Sequence, residues 1–188
     1  MNFNPHYELA GKHAFLSASQ YHWLGDDEAK IEQRYKNAMQ RERGTYLHDL
    51  AQRCILTRTK LANHKKALNL FVNDAIGFRM DSEVVLYYSD NVFGTADAIS
   101  YNSETGELRI HDLKTGVSKP SFKQLMIYSA IFCLEYGAVP QDTIFILRLY
   151  QGNGFEEIEA EPNDILDIMD KIIRFDQVLN RAKAEYRF

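Results

Sequence analysis

Residues 92–114 read Val92-Phe-Gly-Thr-Ala-Asp97-Ala-Ile-Ser-Tyr-Asn102-Ser-Glu-Thr-Gly106-Glu-Leu-Arg-Ile-His-Asp112-Leu-Lys114, and the architecture of the chain can be worked out from them. Val92 to Tyr101 is rich in β-branched, aromatic and small apolar residues, as a strand requires, and Glu107 to Leu113 forms the next one. Asn102-Ser-Glu-Thr-Gly106 supplies turn chemistry between them, because Asn bonds its own backbone and Gly adopts positive φ. In the second strand, Leu108, Ile110, Asp112 and Lys114 share one face while Arg109, His111 and Leu113 share the other. The first face begins apolar and turns charged at the strand's end. Counting outward from the turn brings Asp97 near Asp112.

Outward from this hairpin, Glu83-Val-Val-Leu-Tyr-Tyr88 is a further strand, which makes a three-strand meander. Upstream, Leu16-Ser-Ala-Ser19 reads as a helix start with Ser17 or Ser19 as N-cap. Asp26 to about Leu61 is helical in pattern. Gly44 is expected to break or kink it, so that a second helix carries Thr45 to about Lys60. A short helix follows over Ala67 to Ala75. Downstream, Pro120 and Ser121 open a helix running to about Tyr136, and Thr143 to Tyr150 is a strand. Ile165, Ile168, Met169, Ile172 and Leu179 then fall on one helical stripe after Pro162-Asn-Asp164. The order predicts an α/β (α+β) fold in which a central mixed β-sheet is flanked by helices. With no internal repeat, low-complexity tract or Pro/Ser-rich linker, one domain over 1–188 is expected. Its N-terminal helices span 16–76, its core 82–151 and its C-terminal helix 163–185.

A formal net charge of −4 on 188 residues argues against a general polyanion binder. Charge is uneven, however. Arg53, Arg58, Lys60, Lys65 and Lys66 form one basic cluster and Lys114, Lys119 and Lys123 another, while acids gather at Asp26–Glu28 and along Glu156–Glu161. Local basic patches guide a phosphate backbone even on an acidic protein; a solvated helix face explains the first cluster equally well. Apolar runs such as Thr143 to Leu149 are too short for a bilayer. Met1 to Gly11 lacks the pattern of a secretory signal, so a cytoplasmic protein with no membrane association is expected. Cys54 and Cys133, set among apolar neighbours, read as buried free thiols.

Two carboxylates held close repel, and one pKa rises unless a cation lies between them. A hard divalent ion such as Mg²⁺ meets that need at Asp97 and Asp112, and Lys114 on the same face can reach a phosphate oxygen or an attacking water. Taken alone, Asp112 and Lys114 also fit a structural ion pair or a strand end emerging into solvent. His48, after Gly44-Thr-Tyr-Leu, is by itself an ordinary helical histidine. Gln124 and Tyr128 share a helix face, as amphipathic helices often arrange by chance.

Taken together, the series Gly44…His48, Glu83, Gly94-Thr-Ala-Asp97, Asp112-Leu-Lys114 and Gln124…Tyr128 resembles the RecB-like branch of the PD-(D/E)XK nuclease superfamily. The likeness is above all to small phage-type exonucleases and to the nuclease fold of CRISPR-adaptation proteins. It covers roughly Ser17 to Tyr150, and Ser17-Ala-Ser19-Gln-Tyr-His-Trp23 also looks like the opening of phage members. The resemblance implies a restriction-endonuclease-like core and an Mg²⁺- or Mn²⁺-dependent DNA exonuclease of recombination, repair or phage replication, in a bacterial or phage-infected cell. It implies that His48, Asp97 and Asp112 ligate the metal with the Leu113 carbonyl, and that Lys114 positions the water and stabilises the transition state. Gln124 and Tyr128 would contact the DNA backbone or hold the lysine, and Glu83 would support the site. DNA is the implied partner. With no P-loop in the chain, unwinding would fall to a helicase or recombination partner protein. Two departures stand out: Asp112 occupies a position that often carries Glu, and the four cysteines of an iron–sulfur cluster are missing, so no cluster is expected. A structure-specific endonuclease on the same core and a non-catalytic DNA-binding accessory module are the other readings. His111 points away from Asp112 and reads as structural; Trp23 reads as core; His6, His13, His22 and His64 have no partners at metal-ligand spacing.

Overall fold

The computed structural model describes residues 4–186, and in it the hairpin forms from β2 (Val92–Asn102) and β3 (Glu107–Lys114). They run antiparallel, with Ala98 opposite His111 and Asn102 opposite Glu107. Gly106 turns the chain at φ +69, and a Cβ there would stand 2.5 Å from the Asp142 carbonyl oxygen. Both the backbone angle and the space therefore demand glycine. β1 (Asp81–Ser89) lies antiparallel to β2. From β3 the chain crosses over through helix α3 (Lys123–Tyr136) to β4 (Ile144–Gln151), which pairs parallel with β3, as such a crossover allows. A fifth strand, β5 (Gly154–Ala160), adds antiparallel to β4, and the sheet order is β1-β2-β3-β4-β5. The fold is thus α+β, a mixed five-stranded sheet flanked by helices.

The sequence pattern predicts four strands, and β5 is additional to them. Glu156, Glu157 and Glu159 dominate it, and only Ile158 and Ala160 turn toward the interior. Such a strand survives at a sheet edge, where charge also discourages pairing with another chain. Its one signal was Gly152-Asn-Gly154, which turns the hairpin with Gly152 at φ +61.

Gly44 neither breaks nor kinks a helix. α1 runs continuously through it, Glu28–Leu56. Glycine in a helix interior costs about 1 kcal/mol relative to alanine, but a tertiary contact decides the position. Gly44 is buried, and a Cβ there would stand 2.8 Å from Thr115 Oγ1. Neither Ser17 nor Ser19 caps a helix through its side chain: their hydroxyls bond each other at 2.8 Å, and a 3-10 segment spans Ala18–Gly25. The expected helix at 67–75 is α2 (Ala67–Gly77), and the terminal stripe is α4 (Pro162–Glu185).

The chain divides into two compact units, one up to Arg43 and one from Gly44 onward. In the first, none of residues 4–43 is fully buried. Trp23, read as core, is half-buried there and donates its indole N–H to the Ser17 carbonyl at 3.0 Å. The second unit holds both hydrophobic cores. One lies between the sheet and α3 and α4, with Leu86, Ile110, Leu125, Ile131, Leu147 and Ile165. The other lies on the opposite face with Ala51 and Ile55 of α1, Phe71 and Val72 of α2, and Leu113 and Tyr150 of the sheet. Cys54 and Cys133 are buried free thiols, and burial pushes the Cys133 thiol up to about 11. Among the described residues no helix is long and apolar enough to cross a membrane.

Candidate metal centre

The regular alternation of β2 fails at one place. Ala96 belongs to the core beneath α3, Ala98 to the core beneath α1 and α2, and Ile99 again to the first. Residues two apart in a strand should share a face, so the alternation is interrupted at Asp97, although the pairing with β1 keeps one register across it, from Ser82–Ala98 to Val84–Ala96. Across from it on β1, between the pairs Ser82–Ala98 and Val84–Ala96, stands Glu83. Its backbone is left-handed, at φ +53. An unbranched acid in that region holds strain on the order of 1–3 kcal/mol, which persists only where the surroundings impose it.

The β2–β3 ladder also ends here. Its last pair is Ala98–His111. One step further would set Asp97 against Asp112, as counting from the turn predicts, but the backbone bond is replaced by a side chain. Asp97 Oδ2 accepts the Leu113 N–H at 2.8 Å. The carboxylate is thereby fixed in the gap between the strands.

Into this gap α1 brings His48. Gly44, one helical turn earlier, lets that face of the helix approach Thr115, and His48 Nδ1 stands 3.4 Å from Asp97 Oδ2. One ligand atom from each of His48, Glu83 and Asp97 lies within 4.8 Å of the others, so these three residues could hold a metal ion. The polar contact with Asp97 raises the His48 pKa above its ordinary value, against the effect of burial. Burial and then the Asp97 charge push the Glu83 carboxyl up. Asp112 is raised by burial and then by Asp97, with Lys114 opposing. An imidazole nitrogen beside carboxylate oxygens that repel one another is a donor set suited to a divalent cation.

Asp112 adjoins the triad with its side chain only 4% exposed, and Lys114 engages it. Lys114 Nζ donates to Asp112 Oδ1 at 3.1 Å and stands 2.9 Å from Oδ2, an atom that is buried and receives no hydrogen bond. The ammonium also donates to Gln124 Oε1 at 2.7 Å, and Gln124 Nε2 donates to the Tyr128 hydroxyl at 3.0 Å. Gln124 thus links the lysine to Tyr128. Tyr128 is seated by the second motif glycine: a Cβ on Gly94 would stand 2.8 Å from Tyr128 Cε1. Gly94, Tyr128, Gln124, Lys114 and Asp112 therefore form one continuous chain of contacts.

All the expected site residues gather at this end of the sheet. Leu113 does so through its N–H on Asp97. Glu83, expected only in support, stands inside the triad itself. Its left-handed backbone could not be read from the strand-like run Glu83–Tyr88, and the acid opening that run was the only signal. His111 faces the opposite side, as alternation requires. Its Nδ1 lies 3.1 Å from the Tyr150 hydroxyl, which donates to Asp74 at 2.8 Å. Burial, with Arg148 and Arg109 nearby, pushes His111 down to about 2, so it stays neutral. No protein-family model, curated protein or solved structure matches this chain.

Proposed function

We propose that this chain is a metal-dependent deoxyribonuclease with the restriction-endonuclease-like core of the RecB-like PD-(D/E)XK enzymes, acting as an exonuclease in recombination, repair or phage replication. One observation carries the reading: the His48–Glu83–Asp97 triad stands directly beside an Asp112–Lys114 pair held by Gln124. A structural ion pair alone needs neither the histidine, nor the strained acid, nor the lysine's second anchor.

In this reading His48, Glu83 and Asp97 hold Mg²⁺ or Mn²⁺, with Asp112 and the Leu113 carbonyl as further ligands. The chemistry supplied by such an ion is polarisation of a phosphoryl oxygen and acidification of water. Asp112 aims Lys114 through the contact between them. Gln124 restrains it from the other side, so that the ammonium meets the charge developing on the phosphoryl oxygens without reorganising. Asp97 is held between the two strands by its bond from the Leu113 amide.

The test is hydrolysis of end-labelled linear DNA in Mg²⁺ or Mn²⁺. Wild type should degrade it, and Lys114→Ala should be slower by roughly 10²- to 10³-fold, the usual effect of removing one transition-state donor. Closed circular DNA should remain intact if digestion starts from ends. Equal rates for wild type and Lys114→Ala would refute the assignment.

A further inference from the structure

Beyond the metal centre, β1 and β2 continue as a hairpin with one apolar face left open. Val84 and Leu86 belong with the core beneath α3, so Val85 and Tyr87 turn to the other face of the sheet. That is the face on which α1 packs and from which it brings His48. Across the ladder, Val85 stands opposite Thr95 and Tyr87 opposite Phe93. Val85 is 56%, Tyr87 46% and Phe93 62% exposed. β1 is the edge of the sheet, so no further strand screens them.

Tyr87 is fixed from three sides. Its backbone N–H donates to Glu135 Oε2 at 2.8 Å, its hydroxyl donates to Asp90 Oδ1 at 2.9 Å, and its ring stacks on Phe93 with centroids 6.5 Å apart and planes 27° from parallel. A cross-strand aromatic pair steadies a hairpin, and single exposed apolar residues need no explanation. Neither point accounts for where this pair stands. Tyr87 follows Glu83 by four residues and Phe93 precedes Asp97 by four, on the same two strands. Four strand residues span about 13 Å, which one nucleic-acid strand covers in about four nucleotides at its stacked rise.

We propose that Tyr87 and Phe93 form a stacking platform for an unpaired base of a DNA strand whose phosphate lies at the metal centre. The proposal rests on the nuclease reading of that centre. The charges beside the platform decide which part of the strand meets it. Asp90 and Glu135, which bond Tyr87, repel phosphates and leave neutral bases unaffected. The backbone therefore follows Lys114 and the cation, while a base turns toward the rings. Because the Tyr87 hydroxyl is already engaged with Asp90, the platform offers ring faces rather than hydrogen bonds. Such stacking accepts any base, since every base has a π face. A paired base keeps its faces between its neighbours, so the platform takes only unpaired nucleotides.

The test compares a short labelled oligothymidine with an abasic strand of equal length, which offers the same phosphates and no bases. In Ca²⁺, anisotropy titrations of the full chain should give wild type a preference for oligothymidine of roughly 5- to 150-fold, the effect of stacking one base on an aromatic side chain. The double variant Tyr87→Leu with Phe93→Leu, apolar but without rings, should lose that preference and keep wild-type affinity for the abasic strand. Phe93→Tyr retains a ring and should retain the preference. No preference in wild type, a preference that survives removal of both rings, or an equal loss of affinity for both strands in the double variant would overturn the platform; so would loss of the preference in Phe93→Tyr. Preference for oligothymidine without hydrolysis of any DNA in Mn²⁺ would keep the platform and remove the nuclease reading. Hydrolysis by a wild type that shows no preference would do the reverse.

Discussion

Asp97 carries two burdens at once, as a member of the triad and as acceptor for the Leu113 amide. Its variants separate them. Asp97→Ala leaves a buried N–H without a partner and should cost about 1–3 kcal/mol of folding stability in denaturant titration. Asp97→Asn keeps an acceptor and should lose far less, though it removes the charge a cation needs. Equal destabilisation by both would show that the carboxylate, and not the hydrogen bond, supports the fold. His48 provides a pH handle. Contact with Asp97 raises its pKa above 6.5. The protonated pair therefore stabilises the metal-free fold below about pH 6.5, and that contribution disappears as pH rises through the raised value. Metal ligation needs the neutral imidazole, so Mn²⁺ affinity should climb across that same window and level off above it. Titrations at stepped pH should show this climb in wild type and lose it in His48→Ala; a flat wild-type profile would remove His48 from the ligand set.

Two glycines serve tertiary contacts: Gly44 of α1 lies against Thr115, and Gly94 of β2 against Tyr128 of α3. Replacing Gly44 by alanine gains helix propensity of about 1 kcal/mol but places a methyl 2.8 Å from Thr115 Oγ1. The two effects should nearly cancel in the melting temperature. The displaced helix should nevertheless weaken Mn²⁺ binding by roughly 10- to 100-fold, as loss of a supporting contact does. Thr115→Ala in the same chain removes the obstructing hydroxyl and should restore binding; wild-type affinity in Gly44→Ala alone would contradict this role. Propensity alone misread Gly44, because what occupies the space beside a helix is invisible along one chain. The hairpin was legible because period-two alternation, an Asn…Gly turn and a face that ends in charge all agree from Leu108 to Lys114. The break in alternation at Asp97 and the left-handed backbone at Glu83 were not legible. Both violate local preference, and both lie where the two acids meet His48.

At the scale of the whole molecule, His48, Glu83, Asp97, Asp112, Lys114, Gln124 and Tyr128 converge from three strands and two helices. Spacing in the chain placed Asp112 with Lys114 and Gln124 with Tyr128, but it could not give Glu83 its place beside His48, which depends on how β1 pairs with β2. The acid-rich β5 was likewise hidden, since an edge strand needs few apolar residues. The central proposition is that this convergence is a cation site with an ammonium beside it. Calorimetric titration of Mn²⁺ into wild type, Asp97→Asn and Lys114→Ala tests it most directly. Wild type and Lys114→Ala should both bind the ion, and Asp97→Asn should bind it at least roughly tenfold more weakly. No binding by wild type, or undiminished binding by Asp97→Asn, would contradict the metal centre.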